Sequence, residues 1–259
     1  MNMNLGAMTS TFGSAPDVKP YGLLYQWGRK DPFPSAPSLT GNEKTQPVPV
    51  YGPDGAEVKI TYSLWSSVEN NTIEYSIANP TKCLSNYAQY NTSRDWLKAT
   101  DSNDALWGNP KGDERNSDNN YVNKGSKSFY DPCPVGYRVP PADVFRTFTT
   151  TGGYTQDPSS FDVVDLNGDG VIDTRDYNYG WSFNMKEGSL FFPAAARYDG
   201  SYAMLMGSKS GLWGSYWGNS PAKSYGATTG FGFCVLAFMN EAAGTSVSAT
   251  ASAGRADAY

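Results

Sequence analysis

The stretch Asp165-Leu166-Asn167-Gly168-Asp169-Gly170-Val171-Ile172-Asp173-Thr174-Arg175-Asp176 carries the most specific chemistry in this sequence. Oxygen-bearing side chains stand at its first, third, fifth, ninth and twelfth positions, with glycine sixth and isoleucine eighth. A calcium loop needs that spacing. A hard cation takes roughly six to eight oxygens, alternate side chains turn inward, the seventh residue lends its carbonyl and the sixth makes a sharp turn. The expected ligands are Asp165, Asn167, Asp169, Asp173 and Asp176 through their side chains and Val171 through its carbonyl, and the expected cofactor is calcium. The alternative is an acidic turn open to water. Against it, four carboxylates share the loop with Arg175 as the nearby cation, and their mutual repulsion favours a bound metal. Such a metal would order an inserted segment, since lone loops of this kind bind at extracellular calcium levels. The flanks do not make a full EF-hand: Phe161-Asp162-Val163-Val164 reads as strand, and Gly180 interrupts the segment after the loop.

Other chemistry is bounded mainly by what is missing. The sequence has no histidine, which removes Ser-His and Cys-His nucleophile pairs, histidine-ligated zinc and histidine acid-base catalysis together. Cys83, Cys133 and Cys234 allow at most one intrachain bridge. Paired carboxylates for glycoside hydrolysis stay open, because 25 acidic residues are present and their separations are not readable from sequence. Trp213, Tyr216, Trp217, Tyr198 and Tyr202 are candidate ligand-binding rings in the C-terminal third. The alternative is that they are core, because large aromatics fill small-strand folds efficiently.

The elements that must position these groups follow from composition and punctuation. With 18 Tyr, 7 Trp, 27 Gly and 17 Pro against 17% charged residues, the chain suits short strands and long ordered loops. Its net charge of −5 and pI near 4.8 argue against nucleic acid, which needs clustered Lys and Arg. No apolar run approaches the roughly 18 residues of a membrane span. Met1-Asn2-Met3-Asn4 lacks the regions of a signal peptide, so an export signal is expected upstream or already removed. The run from Lys127 to Pro141 holds Pro132, Pro134, Pro140 and Pro141, which preset φ and remove donors. It predicts a rigid crossing with a turn at Gly136 and Cys133 placed to anchor it to another segment. A short helix is expected over Ala142–Phe148. Leu23–Trp27 reads as a strand or short buried helix ended by Gly28, and Glu57–Tyr62 alternates like a solvated strand. Residues 109–126 read as a surface loop and 149–160 as a second polar loop. Candidate strands come next at Ser189–Tyr198, Gly211–Gly218 and Gly232–Phe238, where Cys234 is expected to be an inert core residue.

Five ordered blocks carry a resemblance that covers almost the whole chain. Asn4-Leu5-Gly6-Ala7, Tyr25-Gln26-Trp27-Gly28-Arg29-Lys30-Asp31, Tyr130–Pro140, Phe192-Pro193-Ala194-Ala195-Ala196-Arg197-Tyr198 and Tyr216-Trp217-Gly218-Asn219-Ser220-Pro221 resemble, in order and spacing, the Fibrobacter succinogenes major paralogous domain. That family is common in surface proteins of gut Bacteroidetes and is grouped with the C-type-lectin-like folds. The resemblance implies one α+β domain over 1–259, with short antiparallel strands, one or two helices, and the calcium loop inserted at about 157–180. It also implies a chain cut at both ends, with the natural partner of Cys133 lying in an absent last strand. The aspartate at the twelfth position resembles the dockerin version of the calcium loop.

The function implied is a non-enzymatic adhesion or binding module on the outer cell surface, facing a glycan or protein ligand. Alternatives are an enzyme on the same fold, formylglycine-generating-like or glycan-active, and a structural cap of a larger surface or pilus protein. The Glu-Pro-Asn or Gln-Pro-Asp and Trp-Asn-Asp motifs of calcium-dependent sugar binding are absent, so any sugar would be held by exposed rings.

Overall fold

The computed structural model describes residues 3–10, 20–34, 45–51, 54–63, 71–84, 95–97, 105–109, 124–152, 160–199, 204–205, 213–224, 227–236 and 246–254. Within these, short antiparallel strands form small sheets and helix is scarce, a pattern compatible with an α+β class. Strand β1 (Leu23–Tyr25) pairs with β2 (Pro32–Pro34), placing Leu24 opposite Phe33. The expected strand therefore stops before Gln26. The chain turns there, with the Arg29 N–H donating to the Gln26 carbonyl at 3.0 Å and Gly28 at φ 84°. Trp27 sits in that turn and is fully buried.

Alternation in Glu57–Tyr62 is realised as a hairpin. Strand β3 (Thr45–Tyr51) pairs with β4 (Glu57–Ser63) in unbroken register, Val50 opposite Val58. Helix α1 (Ile73–Ala78) is started by Thr72, whose side chain accepts the Tyr75 N–H at 3.1 Å, and it ends two residues before Pro80. The helix expected after the strap exists over Ala142–Phe148, but as 3-10 helix. Its N-cap is Pro141, with no side-chain cap, and its bonds run to the third residue back, as in Val144 N–H to Pro141 at 3.1 Å.

Four further pairings complete the sheets. Strand β5 (Gly180–Asn184) pairs with β6 (Ser189–Pro193), and β7 (Tyr198–Asp199) pairs with β8 (Met204–Leu205). Long strands β9 (Trp213–Ser224), β10 (Ala227–Leu236) and β11 (Ser246–Gly254) form a sheet in the order β11-β10-β9. The register of β10 slips at Gly230/Gly232 against β9 and at Gly232/Cys234 against β11, where glycine tolerates a bulge. Cys234 lies in β10, opposite Ser215.

Two aromatic cores sit among these strands. One gathers Trp27, Trp96, Trp107 and Trp217 with Leu84, Leu97, Leu106 and Val139. The other gathers Phe145, Phe148, Phe161, Val163, Trp181 and Phe183. Indole N–H groups in the first core donate to backbone carbonyls far away in sequence: Trp27 to Gly218 at 3.0 Å and Trp96 to Trp27 at 2.8 Å. These indoles of the first core are tolerated because their polar handles are satisfied, whereas Trp181 Nε1 in the second core has no hydrogen-bond partner among the described residues. Asn109, expected on a surface loop, is instead buried, its amide donating to Asn219 Oδ1 at 3.0 Å and Ser220 Oγ at 3.2 Å. Residues 110–123 of that segment and 153–159 of the second polar loop lie outside the described residues. Among the described residues, no helix is long and apolar enough to cross a membrane.

Candidate functional site

The acidic loop is built from nested turns. Asp165 accepts the N–H groups of Gly168 and Gly170, each at 2.7 Å, on separate oxygens. Gly168 and Gly170 take φ of 73° and 79°, which lets both N–H groups point back at one carboxylate. Fully buried Asp176 accepts Leu166 N–H at 2.8 Å on Oδ1 and Asp173 N–H at 2.9 Å on Oδ2, so the first and last acids clasp the loop. Asn167 Oδ1 accepts Asp169 N–H and Asp169 Oδ1 accepts Val171 N–H, both at 2.9 Å. Arg175 spans the gap between Asp169, at 2.7 Å, and Asp173, at 2.6 Å.

Electrostatics of the loop follow from these contacts. The N–H of Gly170, then that of Gly168, holds the Asp165 carboxyl below the ordinary carboxylate range. The Arg175 guanidinium lowers Asp173, and Asp173 in turn raises Arg175. Among the described residues, no group of three or more His, Cys, Asp or Glu side chains is arranged to hold a metal ion. The reason is geometric: Asp165 and Asp176 face backbone donors, and Asp169 and Asp173 face a guanidinium. In kind the donor set fits a hard cation, with five side chains and the Val171 carbonyl all supplying oxygen.

The five candidate rings separate. Tyr216 and Trp217 line a cavity of about 170 Å³ between the N-terminal segment, β1, the strap and β9, together with Tyr25, Trp107, Cys133 and Val139. Trp217 Nε1 donates to the Tyr25 carbonyl at 2.8 Å and Tyr216 Oη to Pro193 at 2.5 Å, so both polar handles are used within the fold. Trp217, a buried member of the first core, borders the cavity only by its ring. Tyr198 does not join them. It is buried against Phe33 with ring centroids 5.6 Å apart, and is a core residue. Half-buried Trp213 donates to Ser215 Oγ at 2.8 Å and lies under the Arg197 guanidinium at 4.5 Å. Tyr202 lies outside the described residues.

The strap meets this cavity through Cys133 and Val139. Its turn is as predicted: Gly136 has φ 85° and the Tyr137 N–H donates to Pro134 at 3.0 Å. Cys133 does not tie the strap to another segment by a disulfide: it is a free, half-buried thiol packed against the first core. Burial and then the charge of Asp131 push that thiol up to about 12, so it is inert near neutral pH. Buried Asp131 closes the strap instead, accepting the N–H groups of Cys133 and Val139, each at 2.9 Å.

Sequence reasoning missed two groups. Arg29 is buried beneath Asp31, and Phe129 stands exposed beside a second cavity. Gln26 and Asp31 are local partners of Arg29, but they do not disclose its burial, which also depends on the Lys82 and Asn79 carbonyls remote in the chain. No family model, no curated protein and no solved structure matches the chain.

Proposed function

We propose that the chain is a non-enzymatic binding module displayed on the outer cell surface, with a C-type-lectin-like body of the Fibrobacter succinogenes major paralogous domain kind. The observation that carries this reading is the aromatic cavity. Tyr25, Trp107, Tyr216 and Trp217 border a space of about 170 Å³. That space suits one ring or one large side chain of a ligand, since a cavity of about 150 Å³ admits benzene. The ligand is a surface glycan or a protein partner that inserts an apolar group there. Met3, 38% exposed and lining the cavity, offers a way to fill it without touching the core. Met3→Trp is expected to weaken binding on a glycan array or to immobilised surface proteins at least tenfold, with an unchanged melting temperature. Undiminished binding by this variant overturns the reading.

Calcium is the proposed stabilising ion, held by Asp165, Asn167, Asp169, Asp173, Asp176 and the Val171 carbonyl. When bound it would supply positive charge that lets the carboxylates converge. Arg175 now supplies part of that charge, bridging Asp169 and Asp173. A divalent ion must compete with the guanidinium, so Arg175→Ala is expected to tighten calcium binding roughly three- to tenfold at low salt. Titration calorimetry reads the shift directly. No heat from millimolar calcium with either protein would end the calcium reading, and equal affinities would end the competition.

A further inference from the structure

A second cavity, of about 160 Å³, lies among the turn after β1, helix α1 and the start of the strap. At its mouth stand Phe129 and Ile77, 78% and 59% exposed. Other large apolar side chains, such as Val135 and Tyr137, are also exposed, so what sets Phe129 apart is its place beside a cavity that charged groups line as well. The ring is not loose. It meets Tyr130 edge-on, centroids 5.5 Å apart, and the Lys30 ammonium sits 4.9 Å from its centroid. Asp31 lines the same cavity. Buried Arg29 holds it there through Oδ2 alone, Nη2 at 2.7 Å and Nε at 3.2 Å.

We infer that this second opening binds a neutral pyranose ring of a glycan, stacked on Phe129 and hydrogen-bonded by Asp31 and Lys30. Three features of the site select that chemistry. An exposed phenyl face asks for an apolar surface of its own size, and a pyranose presents one through its axial C–H groups. A carboxylate can only accept and an ammonium can only donate, so both are satisfied by hydroxyls, which do either. A cation would meet Lys30 and a free anion would meet Asp31, and a purely aromatic ligand would use neither Asp31 Oδ1, which Arg29 leaves free, nor the Lys30 ammonium. The volume holds one six-membered ring. This inference rests on the binding-module reading and gives it a ligand class and a second contact, separate from the first cavity.

The test is saturation-transfer NMR on the full chain with methyl α-glucopyranoside and methyl α-mannopyranoside, in calcium buffer. Transfer to at least one sugar is expected, with a dissociation constant in the millimolar range. Phe129→Ala is expected to raise that constant at least tenfold, Lys30→Met by about threefold, and Phe129→Tyr to leave it within about twofold. Because Phe129 and Lys30 are exposed, these variants should melt as the parent does. No transfer at roughly 20 mM of either sugar overturns the pyranose site while leaving adhesion through the first cavity standing. Binding that survives Phe129→Ala also overturns it, as does binding lost in Met3→Trp, which would place the sugar in the first cavity.

Discussion

Replacing Arg29 with methionine is expected to lower the free energy of unfolding by about 3 kcal/mol, read as a fall in the urea midpoint at constant slope. The guanidinium is almost wholly buried, and burial lowers its pKa, opposed first by the charge of Asp31. It is tolerated there because its donors are used. Nη1 reaches Gln26 Oε1 at 2.8 Å and the Lys82 carbonyl at 2.6 Å, and Nη2 reaches Asp31 at 2.7 Å. Its carbon plane also lies 5.4 Å from the Phe33 ring and 5.7 Å from Trp96. Methionine fills much of the volume but strands the Lys82 carbonyl and leaves Asp31 unpaired. The cost falls at the lower end for a broken buried pair because Asp31 is 25% exposed and water recovers part of its solvation. Arg29→Lys keeps the charge yet cannot span three acceptors, so it should recover less than half of the loss. A midpoint unchanged in Arg29→Met would mean that the turn after β1 is not held by this side chain.

Arg29 also marks the limit of what the chain discloses before it is folded. Features set by neighbours along the chain are legible: Pro134 and Gly136 specify a turn, alternation in Glu57–Tyr62 specifies a hairpin strand, and the Asp/Asn/Gly spacing of 165–176 specifies nested turns around two carboxylates. Features set by distant partners are not. Gln26 and Asp31 stand close to Arg29 in the chain, but its burial also rests on the Lys82 and Asn79 carbonyls, 53 and 50 positions away. Asn109 finds Asn219 110 positions away, so charge or amide character says only that a partner is required. Rings suffer the same ambiguity. Tyr198 and Phe129 look equally apolar in sequence, yet one is packed on Phe33 and the other left in water. Arg175 was visible beside the acids, but that its guanidinium spans Asp169 and Asp173 depends on the local 3-10 turn Thr174–Asp176 bringing it round.

Asp131→Ala is expected to cost about 3 to 4 kcal/mol and, in the same protein, to make Cys133 more acidic. The carboxylate is completely inaccessible and joins both ends of the strap's loop. Oδ1 accepts Cys133 N–H and Lys127 Nζ, each at 2.9 Å, and Oδ2 accepts Val139 N–H at 2.9 Å. Alanine leaves two backbone donors without their acceptor next to the aromatic cavity. Asparagine is a poor substitute, since its NH2 would face one of those donors. The thiol supplies an independent readout. Burial is the largest cause of its shift to about 12, with the charge and hydrogen bond of Asp131 next. A neighbouring carboxylate opposes the thiolate, so removing it favours the thiolate and lowers the pKa, although burial persists. Peptide-resolved alkylation followed against pH, under conditions where near-ultraviolet dichroism shows the variant folded, should give a Cys133 midpoint below that of the parent. A lower stability with an unmoved midpoint would mean that Asp131 closes the strap without setting the field at the thiol. An unmoved midpoint with full stability would mean that the strap is closed by its prolines alone.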